Sequence, residues 1–170
     1  MPRGLKQTSD MVQISARVQE SAPNTFTQIE VPLTLDVLNR EVFVVTGVDL
    51  NPSLPDALAA TDTSVNACLS VTSRTAMGFI GDSNVISSHQ VAIRAAGFVD
   101  GGVGFEATSL DTPPANMDYI GIIATNDFFL SVEGIANVAL KAASARVYGY
   151  RAQASADIFA ALTQSELLSA

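Results

Sequence analysis

Residues 119–134, YIGIIATNDFFLSVEG, hold two apolar runs on either side of the dipeptide Asn126-Asp127. Tyr, Ile, Phe and Val favour a pleated, half-buried surface, and Asn and Asp tolerate the left-handed backbone that a two-residue turn demands. The stretch therefore predicts a β-hairpin turning at 126–127. None of its residues forms a recognisable catalytic constellation, so the kind of object the chain builds must be read from the rest of the sequence.

Working outward, MVQISARVQE sets Val12, Ile14, Ala16 and Val18 against Gln13, Ser15, Arg17 and Gln19. Alternation with period two predicts a strand with one wet face. TFTQIEVPLTL repeats the pattern through Thr27, Ile29, Val31, Leu33 and Leu35, and Pro32, which lacks an N–H, predicts an edge position or a bulge. EVFVVTGVDL is apolar on both faces, with Val42, Val44 and Val48 opposite Phe43 and Val45, which predicts a central strand under two layers. NPSLPDALAATDTS reads as a loop. VNACLSVTS and TAMGFIG read as strands, with a turn at GDSN, while SSHQVAIRAAGFV fits a strand or a short helix equally well. DGGVG is a turn, VGFEATSL a strand, and DTPPANM a loop whose tandem prolines forbid regular pairing. ALKAASARVYGYRAQ closes the series, with Ala145, Val147 and Gly149 opposite Arg146, Tyr148 and Tyr150.

The tail differs in kind. Ser155 is a candidate N-cap for ADIFAALTQSELL, which brings Ile158, Phe159 and Leu162, then Leu167 and Leu168, to helical spacing, with Asp157 near the positive end of the helix. Short strands in series, without alternating helices or internal repeats, predict an all-β antiparallel sandwich, and about eight strands suit a jelly roll. The division expected is an N-terminal extension over 1–10, the sandwich over 11–153 and an amphipathic helix over 154–170.

Composition narrows the function. At 170 residues the chain suits one domain with a self-standing core. Only 15% of residues are charged, against about 25% in ordinary soluble domains, and mean hydropathy is +0.29. So few charges predict a surface partly buried against other chains. No apolar run is long enough for a membrane-spanning helix, and the scarcity of aromatics with no Trp argues against the girdles of a transmembrane barrel. The net charge of −8, and a first segment in which Arg3, Lys6 and Arg17 face only Asp10 and Glu20, argue against direct binding of nucleic acid. MPRGLKQTSD lacks the apolar core of a secretory signal.

Chemistry-bearing motifs are few. The single cysteine, Cys68, lies in a strand-like run and reads as a small buried filler. The single histidine, His89, has sequence neighbours that point to the opposite face of a strand, so SSHQ does not make a Ser-His dyad. No paired metal motif such as HExxH or CxxC occurs. Glycines 97, 101, 102 and 104 lack the GK[ST] and helix of a phosphate loop. Asp100, Glu106, Asp111 and Asp118 do not stand out as a glycosidase pair, because 17 acidic residues make some proximity unavoidable. No enzyme, metal site or cofactor is expected.

On the strand series over 11–153, on YIGIIATNDFFLSVEG and on ARVYGYRAQ, the chain resembles the single jelly-roll major capsid proteins of tailless icosahedral viruses, particularly membrane-containing double-stranded DNA viruses of bacteria and archaea. The resemblance implies a virion protein that self-assembles into pseudo-hexagonal capsomers with strands roughly upright to the shell. Its partners would be copies of itself, a second coat or penton protein, and an underlying viral membrane that separates shell from genome. The lead and the tail would then clamp subunits together, with Ile158, Phe159 and Leu162 as anchors, joined by Leu167 and Leu168. Arg146, Tyr148 and Tyr150 would be a sheet face covered by a neighbouring subunit or by the C-terminal helix. The alternative is a β-sandwich receptor, carbohydrate-binding or decoration module in a small oligomer. A cupin-like enzyme fits least, since the histidines of its metal site are missing.

Overall fold

The computed structural model describes residues 4–97, 105–108 and 117–168. Among the described residues, ten strands form two antiparallel sheets: β1 (Leu5–Gln7), β2 (Val12–Gln19), β3 (Thr27–Pro32), β4 (Glu41–Pro52), β5 (Thr63–Ser70), β6 (Val85–Arg94), β7 (Phe105–Thr108), β8 (Gly121–Ile123), β9 (Asp127–Ile135) and β10 (Ala142–Ala154). One helix, α1 (Ala156–Leu168), follows. In the first sheet, β10 lies between β4 on one edge and β2 and β1 on the other, and β4 continues to β8. The second sheet runs β3-β9-β5-β6-β7.

The pairs β2·β10, β3·β9, β4·β8 and β5·β6 describe one long antiparallel ribbon, doubled back at β5–β6. Its successive pairs fall alternately in the two sheets, which is the winding of a jelly roll. Phe43, Val45, Val65, Leu69, Ile123, Phe128, Leu130, Val132 and Val147 fill the space between the sheets. Complete burial of a side chain of this size is worth about 1.5–3 kcal/mol, so this layer supplies most of the drive to fold.

The expected hairpin at 126–127 is absent. β8 pairs with β4 in the first sheet and β9 with β3 and β5 in the second, so Ala124, Thr125 and Asn126 carry the chain from one sheet to the other. Neither Asn126 nor Asp127 is among the residues with positive φ, so the turn geometry assumed for them is not used. Ile123 and Phe128 enter the same core from opposite sheets, and the Leu33 N–H ties the corner by donating to Asn126 O at 2.7 Å.

TAMGFIG is not a strand either. Both edges of β5 are occupied, by β6 and β9, so the segment cannot pair with the strand it follows. It folds instead over the outer face of the second sheet, where Gly78 packs against Cys68. Burial pushes the Cys68 thiol up to about 11, in keeping with a filler.

The segment left open between strand and helix is β6. DGGVG and most of DTPPANM lie outside the described residues. Pro32 ends β3, an edge strand, as its missing N–H requires. Val42, Phe43, Val44 and Val45 are at most 1% exposed, as a strand under two layers demands. Val48 departs from its expected face. A register shift where Tyr148 and Gly149 of β10 meet β4 leaves Thr46 unpaired, and this bulge turns Val48 and Leu50 toward the core. The lead is not wholly separate from the sandwich, because β1 pairs with the end of β10.

Candidate assembly surfaces

The outer face of the first sheet is divided in two. Over one half, α1 docks: Ile158, Phe159 and Leu162 pack on Leu5, Val42, Val44, Ala124, Tyr150 and Ala152. The helix begins where expected, with the Phe159 N–H donating to Ser155 O at 2.9 Å, and the Ser155 N–H donates to Gly4 O at 2.9 Å. Gly4 has φ +84° and Ile158 packs where a Cβ would stand, so the helix start requires glycine there. Tyr150 is buried beneath this cluster, and burial, with Asp118 adding to it, raises its phenol above the usual range. Three of the expected anchors thus meet their own subunit's sheet, whereas Leu167 and Leu168 are 68% and 77% exposed.

The residue that completes the inner face of α1 is Glu166, only 5% exposed. It follows Leu162 by four positions, so its place was readable from helical spacing. One carboxyl oxygen accepts the Ala124 N–H at 2.9 Å, and the other has no hydrogen-bond partner among the described residues. Burial raises its pKa above 4.5, and Asp127 also acts to raise it. A carboxyl with a raised folded pKa stabilises the fold most below its unfolded pKa, and that contribution is lost as pH climbs through the folded value. Glu166→Gln is expected to stabilise the docked helix by on the order of 1 kcal/mol at neutral pH, with the advantage fading toward pH 4. Thermal unfolding of both chains across pH 4–8 checks it; a variant less stable at pH 7 would contradict the assignment.

The other half of this face is open. Arg146 pairs across strands with Ser15 and Asp49, and Ser144 with Arg17 and Asn51. These six residues line a shallow groove of about 490 Å³. Tyr148 donates its hydroxyl to Asp49 Oδ2 at 3.2 Å, while Arg17 and Arg146 are exposed and form no ion pair among the described residues. Arg146, Tyr148 and Tyr150 do share a face, but α1 covers only Tyr150 and leaves the other two outside it.

At one end of the sandwich, three loops are tied by a buried polar network that was not read from the sequence. Glu20, 3% exposed, accepts backbone N–H groups from Thr25 (3.2 Å), Gly134 (2.7 Å) and Lys141 (2.7 Å). Asn137 donates to Ser64 O at 2.8 Å and accepts the Asp56 N–H at 2.8 Å. Asp56 accepts from Val138, Ala139 and the Lys141 ammonium. The Ala139 amide, then Lys141, hold its carboxyl down at about 2. The network presents Leu54, Ile135, Val138 and Leu140, which are 66%, 50%, 71% and 44% exposed. At the opposite end Leu38 is 95% exposed on a single 3-10 turn whose cap, Asp36, accepts the Leu38 and Asn39 N–H groups. Phe79 and Ile80, on the loop between β5 and β6, are also exposed.

His89 points between the sheets and donates from Nδ1 to Leu50 O at 2.8 Å, while Ser88 faces the other way; its visible contact is a cross-sheet tie. Among the described residues no cluster of three or more His, Cys, Asp or Glu is placed to hold a metal ion. Asp100 and Asp111 lie outside the described residues. No family model matches the chain, and no curated protein matches it.

Proposed function

We propose that the chain is a structural coat subunit that assembles with copies of itself into an icosahedral shell, of the kind built from single jelly-roll subunits by tailless, membrane-containing double-stranded DNA viruses of bacteria and archaea. The observation that carries the reading is a jelly roll that holds large apolar side chains in water: Leu54, Val138 and Leu140 at one end, Leu38 at the other, and Phe79 and Ile80 over the outer face of the second sheet. Exposed apolar surface of this kind marks contact sites, and burying it between subunits is the driving force of assembly. The acidic balance fits a shell separated from its genome by a membrane. A second coat or penton protein would complete such a shell at its vertices.

Leu167 and Leu168 test the reading without disturbing the core. In the double variant Leu167→Ser/Leu168→Ser, the assembled fraction in sedimentation velocity is expected to fall at least about tenfold, while the unfolding midpoint moves by only a few degrees, because both side chains are already in water. A wild-type chain that stays at 17.8 kDa at every concentration would overturn the proposal.

A further inference from the structure

The two outer faces of the sandwich carry side chains of opposite charge that form no ion pair among the described residues, although Asp49 stands across from Arg146. On the open half of the first sheet, Arg17 and Arg146 stand diagonally across β2 and β10, each opposite a serine, and neither forms an ion pair. The nearby carboxylate, Asp49, is engaged by Tyr148. On the outer face of the second sheet, Glu133 of β9 and Glu30 of β3 project away from the core, since Leu130, Val132, Ile29 and Val31 take the inner positions. Neither glutamate forms an ion pair among the described residues. Two arginines of this second-sheet side, Arg94 and Arg74, are bound to Asp62 and Asp82.

The heights agree as well. Ser144 and Arg146 lie just inside the start of β10 at Ala142, and Glu133 lies just inside the end of β9 at Ile135. The loop 136–141 joins those two strand ends, so Glu133 lies within about 3–7 Å of strand rise of the two arginines, and Glu30, opposite Phe129, stands about 13 Å farther along β9. Glu133 also stands in a cross-strand row with Asn66, 2% exposed, whose side-chain carbonyl oxygen has no donor among the described residues. That asparagine lines a pocket of about 160 Å³ opening beside Phe79.

We propose that the Arg17–Arg146 face of one copy docks on the Glu133–Glu30 face of the next copy standing the same way up. This inference rests on the coat reading and specifies its lateral contact. The contact is heterologous, one surface meeting a different one, so repetition closes into a ring when the rotation permits. Opposite charges fix the register of such a contact and reject a face meeting its own kind.

Charge exchange tests it. Arg17→Glu/Arg146→Glu and Glu30→Arg/Glu133→Arg are each expected to lower the assembled fraction at least about tenfold, measured by light scattering at low salt, with unfolding midpoints close to wild type. An equimolar mixture of the two variants restores opposite charge wherever the two alternate and should recover assembly, and one chain carrying all four changes restores it at every contact and should do the same. Reversed chains that assemble like wild type, or losses that neither the mixture nor the fourfold chain recovers, would overturn the pairing while wild-type shells left the coat reading standing. A wild-type chain that never assembles would overturn both.

Discussion

Replacing Glu20 with alanine is expected to destabilise the fold by roughly 3–5 kcal/mol, seen as a fall of about 10 °C in unfolding midpoint for a chain of this size. The reason is the number and kind of groups that lose a partner. Glu20 Oε1 accepts from Thr25 and Gly134, and Oε2 from Lys141, so one carboxylate satisfies amides from the β2–β3 loop, β9 and the start of β10. Hydrogen bonds to a charged acceptor are worth about 1.5–3 kcal/mol each, and the side chain is too deeply buried for water to replace it freely. Glu20→Gln should cost less, since Oε1 survives, but its amide nitrogen would face the Lys141 N–H donor to donor. Urea titration of the three chains checks the order. An alanine variant within 1 kcal/mol of wild type would show that the loops hold without the network. The same network predicts acid sensitivity: Asp56, held down at about 2, contributes stability above its unfolded value of 3.8 that is lost as pH falls toward 2.

Gly149→Ala should cost about 3 kcal/mol by crowding alone. A Cβ there would stand 2.6 and 2.7 Å from Phe43 Cε1 and Cζ and would also press on the Val44 carbonyl oxygen. Phe43 is 1% exposed and packed between the sheets, so it has no room to retreat, and the carbonyl belongs to the β4 backbone at the bulge. Gly149 is thus required by the close approach of β4 to β10, not by a special backbone angle. Adding Phe43→Leu should recover part of the loss in a double-mutant cycle, because it relieves the ring contact but not the carbonyl contact. A fully additive cycle would place the strain elsewhere.

How far the fold could be read in advance depended on whether each signal was local. Val12 to Val18 alternate because one face of β2 is wet, and Val42 to Val45 do not because both faces of β4 are covered; such patterns lie within a single strand. YIGIIATNDFFLSVEG misled because apolar runs and a turn dipeptide specify two strands and a change of direction, not which sheet each strand joins. That choice was made by β4 and β3, far away in sequence. Val48 changed face because a bulge belongs to a pair of strands. On the candidate surfaces, helical spacing brought out Ile158, Phe159 and Leu162, but an apolar search passed over Glu166, the inward residue one turn later. The network of Glu20 and Lys141 was not legible, since their partners come from loops brought together only by the winding of the ribbon.

The central claim is that this jelly roll is a building block, and mass decides it. Light scattering on a size column, with negative-stain imaging of the same fractions, is expected to give megadalton particles of regular outline from the purified chain. A 17.8 kDa monomer or a small closed ring under the same conditions would contradict the account.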